Sequence, residues 1–147
     1  MKPLLEGKKL FDLLPQKQPM NMVHALLAYK HDSATSSLTI LPDNLFIENN
    51  KLSLAGLVEN IAQTIACRSA FQYLTNRDGS SEFPNPPVGF IGAITKLNFL
   101  HSPPIGAEIQ TTVKVEAEMM DISLVSGETW WNGILLFSCS MKVFVRK

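Results

Sequence analysis

Between residues 54 and 74 apolar side chains recur at Leu54, Leu57, Val58, Ile61, Ile65, Ala66 and Phe71, the spacing of a helix, and Ser53 is placed to cap its start. Alanines and Gly56 fill most of the remaining surface, so this helix is wrapped rather than laid on a surface and belongs at the centre of the fold. After it the period changes. Ile109, Thr111, Val113, Val115, Ala117 and Met119 alternate with Gln110, Thr112, Lys114, Glu116 and Glu118, which predicts a strand with one wet face. The same alternation recurs at Leu135, Phe137, Cys139, Met141, Val143 and Val145. With residues 88–100 and 122–131, set between turn signals at Pro103-Pro104 and Asn132-Gly133, the C-terminal half reads as a long antiparallel meander.

Residues 20–30 and 35–41 predict a further pair of strands, broken by Lys30, His31, Asp32 and Ser33. Pro3 followed by Leu4, Leu5, Leu10, Leu13 and Leu14 predicts a short amphipathic helix that Pro15 stops and that lies on a neighbouring surface. Residues 76–87, with Asp78-Gly79, two serines and three prolines, read as an internal loop rather than a domain boundary. The expectation is a single domain over residues 1–147, of α+β class, with one long helix against a strongly bent antiparallel sheet.

Composition adds a partner and removes several functions. Only 18% of the 147 residues are charged, below the usual quarter, so part of the surface is expected to be covered in an obligate oligomer. Thirteen Lys and Arg balance thirteen Asp and Glu, which removes the electrostatic footprint of nucleic-acid binding. No stretch approaches the roughly 18 apolar residues of a membrane span, and residues 1–9 lack the apolar run of a secretory signal. Cys67 and Cys139 sit in apolar segments without metal-ligand or disulfide spacing. The expectation is a soluble cytoplasmic protein with no membrane span, no metal and no cofactor.

Chemistry concentrates on few residues. Glu59 interrupts the most apolar part of the central helix and shares one stripe with Gly56 and, at i+4, Gln63. A carboxylate there points at solvent or a dimer seam, meets a partner, or stays partly neutral and able to act as general acid or base. His24 shares a strand face with Met22 and Leu26, as a satisfied core histidine or as a catalytic one. His31 and His101 read as surface residues. Gly89-Phe90-Ile91-Gly92 lacks the spacing of a phosphate loop, and its glycines mark close backbone approach in a strand. Trp130 and Trp131 point to opposite faces, one inward and one outward. No serine sits in a nucleophile elbow.

These residues resemble a family. Leu14-Pro15, then Pro19-Met20 leading into a strand, resembles the Leu-Pro-His-Arg-any-Pro opening of the 3-hydroxyacyl carrier-protein dehydratases. The run from Ala55 to Thr64, with Gly56, Glu59 and Ala62-Gln63, is similar to that family's central-helix motif. Phe90-Ile91-Gly92-Ala93-Ile94, then Phe99 and Pro104-Ile105-Gly106-Ala107, resembles its Phe-Ala-Gly-Ile-Asp strand and Pro-any-Gly-Asp turn. The resemblance spans roughly residues 12–145 and implies a hotdog fold, dimerising edge to edge with acyl tunnels at the interface. It implies Glu59 as catalytic acid, Gly92 as the backbone amide that polarises a thioester carbonyl, and Gly56, Gln63, Phe90 and Ile91 beside the substrate.

The chain departs from the family in one respect above all. The Gly-His-Phe-Pro-Gly motif that supplies the family's catalytic histidine is absent, and residues 44–54 are too short to hold it. Gln16 and Lys17 also stand where the opening motif has His and Arg, and His24 where an Asp is common. The shortened loop is similar to that of the small dehydratase-like proteins of aryl polyene type pigment clusters.

The resulting expectation is a dehydratase-like protein acting on 3-hydroxyacyl groups attached to acyl carrier protein. Glu59 is its acid or base and His24 its candidate replacement histidine. The partners expected are an acyl carrier protein or other acyl thioester and a second copy of the chain, in a homodimer or higher even oligomer. Thioester hydrolysis with Glu59 activating water is an alternative. So is a non-catalytic hotdog subunit that binds acyl chains or partners an active dehydratase.

Overall fold

The computed structural model describes residues 2–75 and 88–146; the loop expected at residues 76–87 lies outside them. In chain order the elements are β1 (Leu5–Glu6), α1 (Lys8–Phe11), β2 (Ala25–Lys30), β3 (Ser33–Thr39), β4 (Ile47–Glu48), β5 (Lys51–Leu52) and α2 (Leu54–Thr75). The long strands β6 (Val88–Phe99), β7 (Glu108–Met119), β8 (Ile122–Trp131) and β9 (Ile134–Arg146) follow. Seven strands form one antiparallel sheet in the order β1-β2-β3-β7-β8-β9-β6, and β4 and β5 form a separate hairpin. This is the hotdog arrangement, with a long helix held by a curved sheet.

α2 begins where the sequence places it. The Ser53 hydroxyl accepts the Gly56 N–H at 3.3 Å, satisfying one of the helix's orphan donors. Its 22 residues extend roughly 33 Å at 1.5 Å per residue. Leu57, Ile61 and Ile65 join Leu38, Ile109, Val113, Val125, Phe137 and Met141 of the sheet in one buried core. On β7, Ile109, Thr111 and Val113 are buried while Gln110, Thr112 and Lys114 face out, as the alternation requires. A bulge between Val115 and Ala117 ends that regularity, so Met119 is 76% exposed rather than inward. Trp131 packs against the core and Trp130 faces outward.

Two N-terminal expectations need correction. The helix expected from Pro3 is a single turn at Lys8–Phe11, preceded by β1, because Gly7 takes a positive φ of 60° and Leu4 N–H donates to Leu26 O at 2.8 Å. Leu10 and Leu14 then close this chain's own core instead of lying on a neighbour. The strand expected from Met20 starts only at Ala25. Residues 20–23 instead form a strap whose Met20 and Met22 backbone groups are hydrogen-bonded by α2 side chains.

β6 is an edge strand. It carries exposed apolar side chains at Phe90, Ile91, Ile94, Leu97 and Phe99, and bulges interrupt its pairing with β9 between Ile91 and Ala93 and between Thr95 and Asn98. Among the described residues no helix is long and apolar enough to cross a membrane.

Candidate functional site

Glu59 lies on the second turn of α2 with its side chain half-buried. Its Oε1 accepts a hydrogen bond from Gln63 Nε2 at 2.9 Å. Gln63 is 0% exposed. It also accepts the Met22 N–H at 2.7 Å and donates to Met20 O at 2.7 Å, so both amide hydrogens are committed. Asn60, next to Glu59 in sequence, donates to Met22 O at 2.7 Å and accepts the Thr111 hydroxyl at 2.6 Å. The strap thus takes from two helix side chains the pairing that a neighbouring strand would supply.

His24 stands between the strap and β2. Its backbone N–H donates to Ser37 O at 2.9 Å, and its Nδ1 accepts the Thr39 N–H at 3.2 Å. Burial pulls the imidazole below its ordinary pKa, so the neutral ring is favoured, and with Nδ1 accepting, its hydrogen sits on Nε2. No hydrogen bond or ion pair joins His24 to Glu59 among the described residues; they are linked through Met22 and Gln63.

The remaining expected residues fall into two places. Gly56 packs one turn before Glu59, where an added Cβ would lie 2.6 Å from Leu52 Cδ1 and 2.8 Å from Phe46 Cβ, so only glycine lets the β4–β5 hairpin press on the helix start. That hairpin turns at Asn49 and Asn50, both at positive φ, in the stretch where the resembled family carries its histidine motif. Phe90, Ile91 and Gly92 lie on the β6 edge, with no hydrogen bond to Glu59, Gln63 or His24 among the described residues. Gly92 falls at the first β6 bulge, and a Cβ there would collide with the Phe144 ring.

A buried polar seam was not anticipated. Asn60, Thr64 and Arg68 recur every fourth residue along the sheet-facing side of α2. Thr64 meets the Ser36 hydroxyl at 2.7 Å, Thr111 meets Thr129 at 2.8 Å, and Arg68 Nη1 donates to His31 O at 2.7 Å. The i, i+4, i+8 spacing of polar residues inside an apolar helix was the available signal. A groove of about 380 Å³ lined by Glu108, Gln110, Trp130, Asn132 and Gly133 lies on the sheet face opposite α2, away from this constellation. No group of three His, Cys, Asp or Glu side chains that could hold a metal ion occurs among the described residues.

Solved structures share this architecture at low sequence identity. The dehydratase heterocomplex ApeI:P from Xenorhabdus doucetiae is matched at a TM-score of 0.80 and 13% identity, over 100% of this chain and 93% of that one. The E. coli PaaI protein from the phenylacetic acid degradation operon is matched at 0.63 and 12%, over 81% and 80% of the two chains. A hypothetical thioesterase with coenzyme A from Streptococcus pneumoniae TIGR4 is matched at 0.65 and 6%, over 82% and 84%. These likenesses establish the fold. A search of the curated proteins finds no match. The family model described as ApeP-like, ApeP dehydratase, matches residues 8–147, and with nearly the whole chain inside that match, the protein belongs to the ApeP-like dehydratase family.

Proposed function

We propose that this dehydratase-like protein eliminates water from 3-hydroxyacyl thioesters carried by an acyl carrier protein, in fatty acid or polyene type synthesis, with Glu59 as the proton-transfer group. The observation that carries the reading is the half-buried Glu59 carboxylate on the central helix of an ApeP-like chain, one oxygen held by Gln63 and the other without a protein partner among the described residues. Glu59 takes the proton from C2 of the acyl chain, the C2–C3 double bond forms, and the C3–O bond breaks as the hydroxyl leaves as water with that same proton, which Glu59 passes to it and so returns to its carboxylate form. Charge developing on the thioester oxygen needs a preorganised donor, and the Gly92 backbone N–H is assigned that role. His24 enters as a donor through its Nε2–H rather than as a base, since Nδ1 is occupied.

The thioester hydrolysis reading places water where the hydroxyl would sit. Offering a 3-hydroxyacyl thioester and a plain acyl thioester of equal length separates the two. Formation of the enoyl product from the first, with the second left intact, supports dehydration; release of free thiol from both overturns it.

The proposal includes a second copy of the chain paired along β6. A 12-residue edge strand bearing exposed Phe90, Ile94 and Leu97 leaves apolar surface and unpaired backbone that a partner would cover. A cytoplasmic location suits the free, buried thiols of Cys67 and Cys139. The absent histidine motif and the exposed β6 favour one further reading, a non-catalytic subunit completed by a different hotdog chain. Activity of the purified chain by itself contradicts that reading.

A further inference from the structure

We infer that Gln63 is a positioning residue, a buried clamp that fixes the Glu59 carboxylate and the strap of residues 20–23 in one unit and does not itself touch substrate. The inference rests on the reading of Glu59 as the proton-transfer group.

The capacity of a glutamine amide decides the matter. It offers two N–H donors and a carbonyl oxygen with two lone pairs. Here Nε2 donates to Glu59 Oε1 at 2.9 Å and to Met20 O at 2.7 Å, while Oε1 accepts the Met22 N–H at 2.7 Å. Both hydrogens and one lone pair of Oε1 are used, and with the side chain 0% exposed the second lone pair is out of reach of an acyl chain or a thioester.

The clamp orders the two carboxylate oxygens. Oε1 is held by a charge-assisted hydrogen bond, which leaves Oε2 as the oxygen that exchanges the proton and fixes its direction. Asn60 secures the strap from one residue further along the helix, by donating to Met22 O and accepting from Thr111, which in turn meets Thr129 on β8. The strap therefore cannot shift without breaking its hydrogen bonds to α2, where Asn60 is itself anchored to the sheet. A side chain that holds a reacting group within a narrow range of geometry acts on the rate of the chemical step and leaves substrate affinity alone.

Two measurements test this on the full-length protein. In the first, the side-chain amide signals of Gln63 are followed by NMR in the wild type and in Glu59→Gln. The clamp predicts slowly exchanging hydrogens, one of which shifts when the charged acceptor is replaced by a neutral one; a Gln63 amide that exchanges freely, or is unmoved by Glu59→Gln, overturns it. In the second, Gln63→Met is compared with wild type on a carrier-bound 3-hydroxyacyl substrate. Positioning predicts kcat lowered at least about tenfold with KM within about twofold. A raised KM at unchanged kcat would mean a substrate contact and overturn it. Should Gln63→Met not fold, the amide signals decide alone, since they need no change at Gln63. Absence of turnover by the wild type fails the reading of Glu59, and the same signals still decide whether the clamp exists.

Discussion

At His24 the packing between the strap and β2 disfavours the charged imidazole. His24 is half-buried, and its lowered pKa means the unfolded chain binds the proton at a higher pH than the folded one. The associated stability is present above the ordinary value of 6.5 and is lost as pH falls below it. The unfolding midpoint is expected to drop between about pH 7 and about pH 5, and to drop less in His24→Gln; an identical drop in the variant would remove His24 as its source. The buried seam makes a different prediction. Thr111→Val takes away the donor on Asn60 and the link to Thr129, leaving a buried acceptor unpaired, at an expected cost of about 1–3 kcal/mol in a denaturant titration. Fewer of these features could be read from the chain than their importance warrants. Glu59 and Gln63 stood out because a charge and an amide interrupt an apolar helix at i, i+4. The alternation put Thr111 on the inward face, but its link to Asn60 did not stand out, because the two lie 51 positions apart and nothing local pairs them.

The elements formed by local pattern were legible, and those formed by tertiary contact were not. α2, β7, β8 and β9 follow from periods of 3.6 and 2 over long runs, and their bounds fall close to those expected. The N-terminal segment follows no such run. Its leucines suit a helix, but the free edge of β2 captures Leu5–Glu6 as a strand, and the core captures Leu10 and Leu14. The strap failed for a related reason, since the hydrogen bonds that hold Met22 come from side chains that lie 38 and 41 positions further along the chain. At the start of α2, Gly56→Ala would push a methyl group into Leu52 and Phe46. It is expected to cost about 1–3 kcal/mol, and a variant as stable as wild type would show that the β4–β5 hairpin yields freely. For β6, Ile94→Lys places a charge on the exposed edge and is expected to raise the monomer fraction in sedimentation. Unchanged assembly would place the interface elsewhere.

The whole molecule is a hotdog chain of the ApeP-like dehydratase family, and a tight asparagine hairpin occupies the stretch where the resembled 3-hydroxyacyl carrier-protein dehydratases carry their histidine motif. The assembled protein is expected to sediment as a dimer at micromolar concentration, with the low charged fraction and the apolar β6 edge as its cause; monomer alone would contradict this. Fold and family were readable because they rest on long periodic elements and three motifs in order. The chemistry was less so, because the residue that should complete it is missing and its nearest candidate, His24, has one ring nitrogen tied to the backbone. The most direct test of the account is turnover of a carrier-bound 3-hydroxyacyl thioester by wild type and by Glu59→Gln at equal concentration. The account predicts enoyl product from the wild type and a loss of at least about a hundredfold in the variant. Activity surviving in Glu59→Gln within a few fold would contradict it.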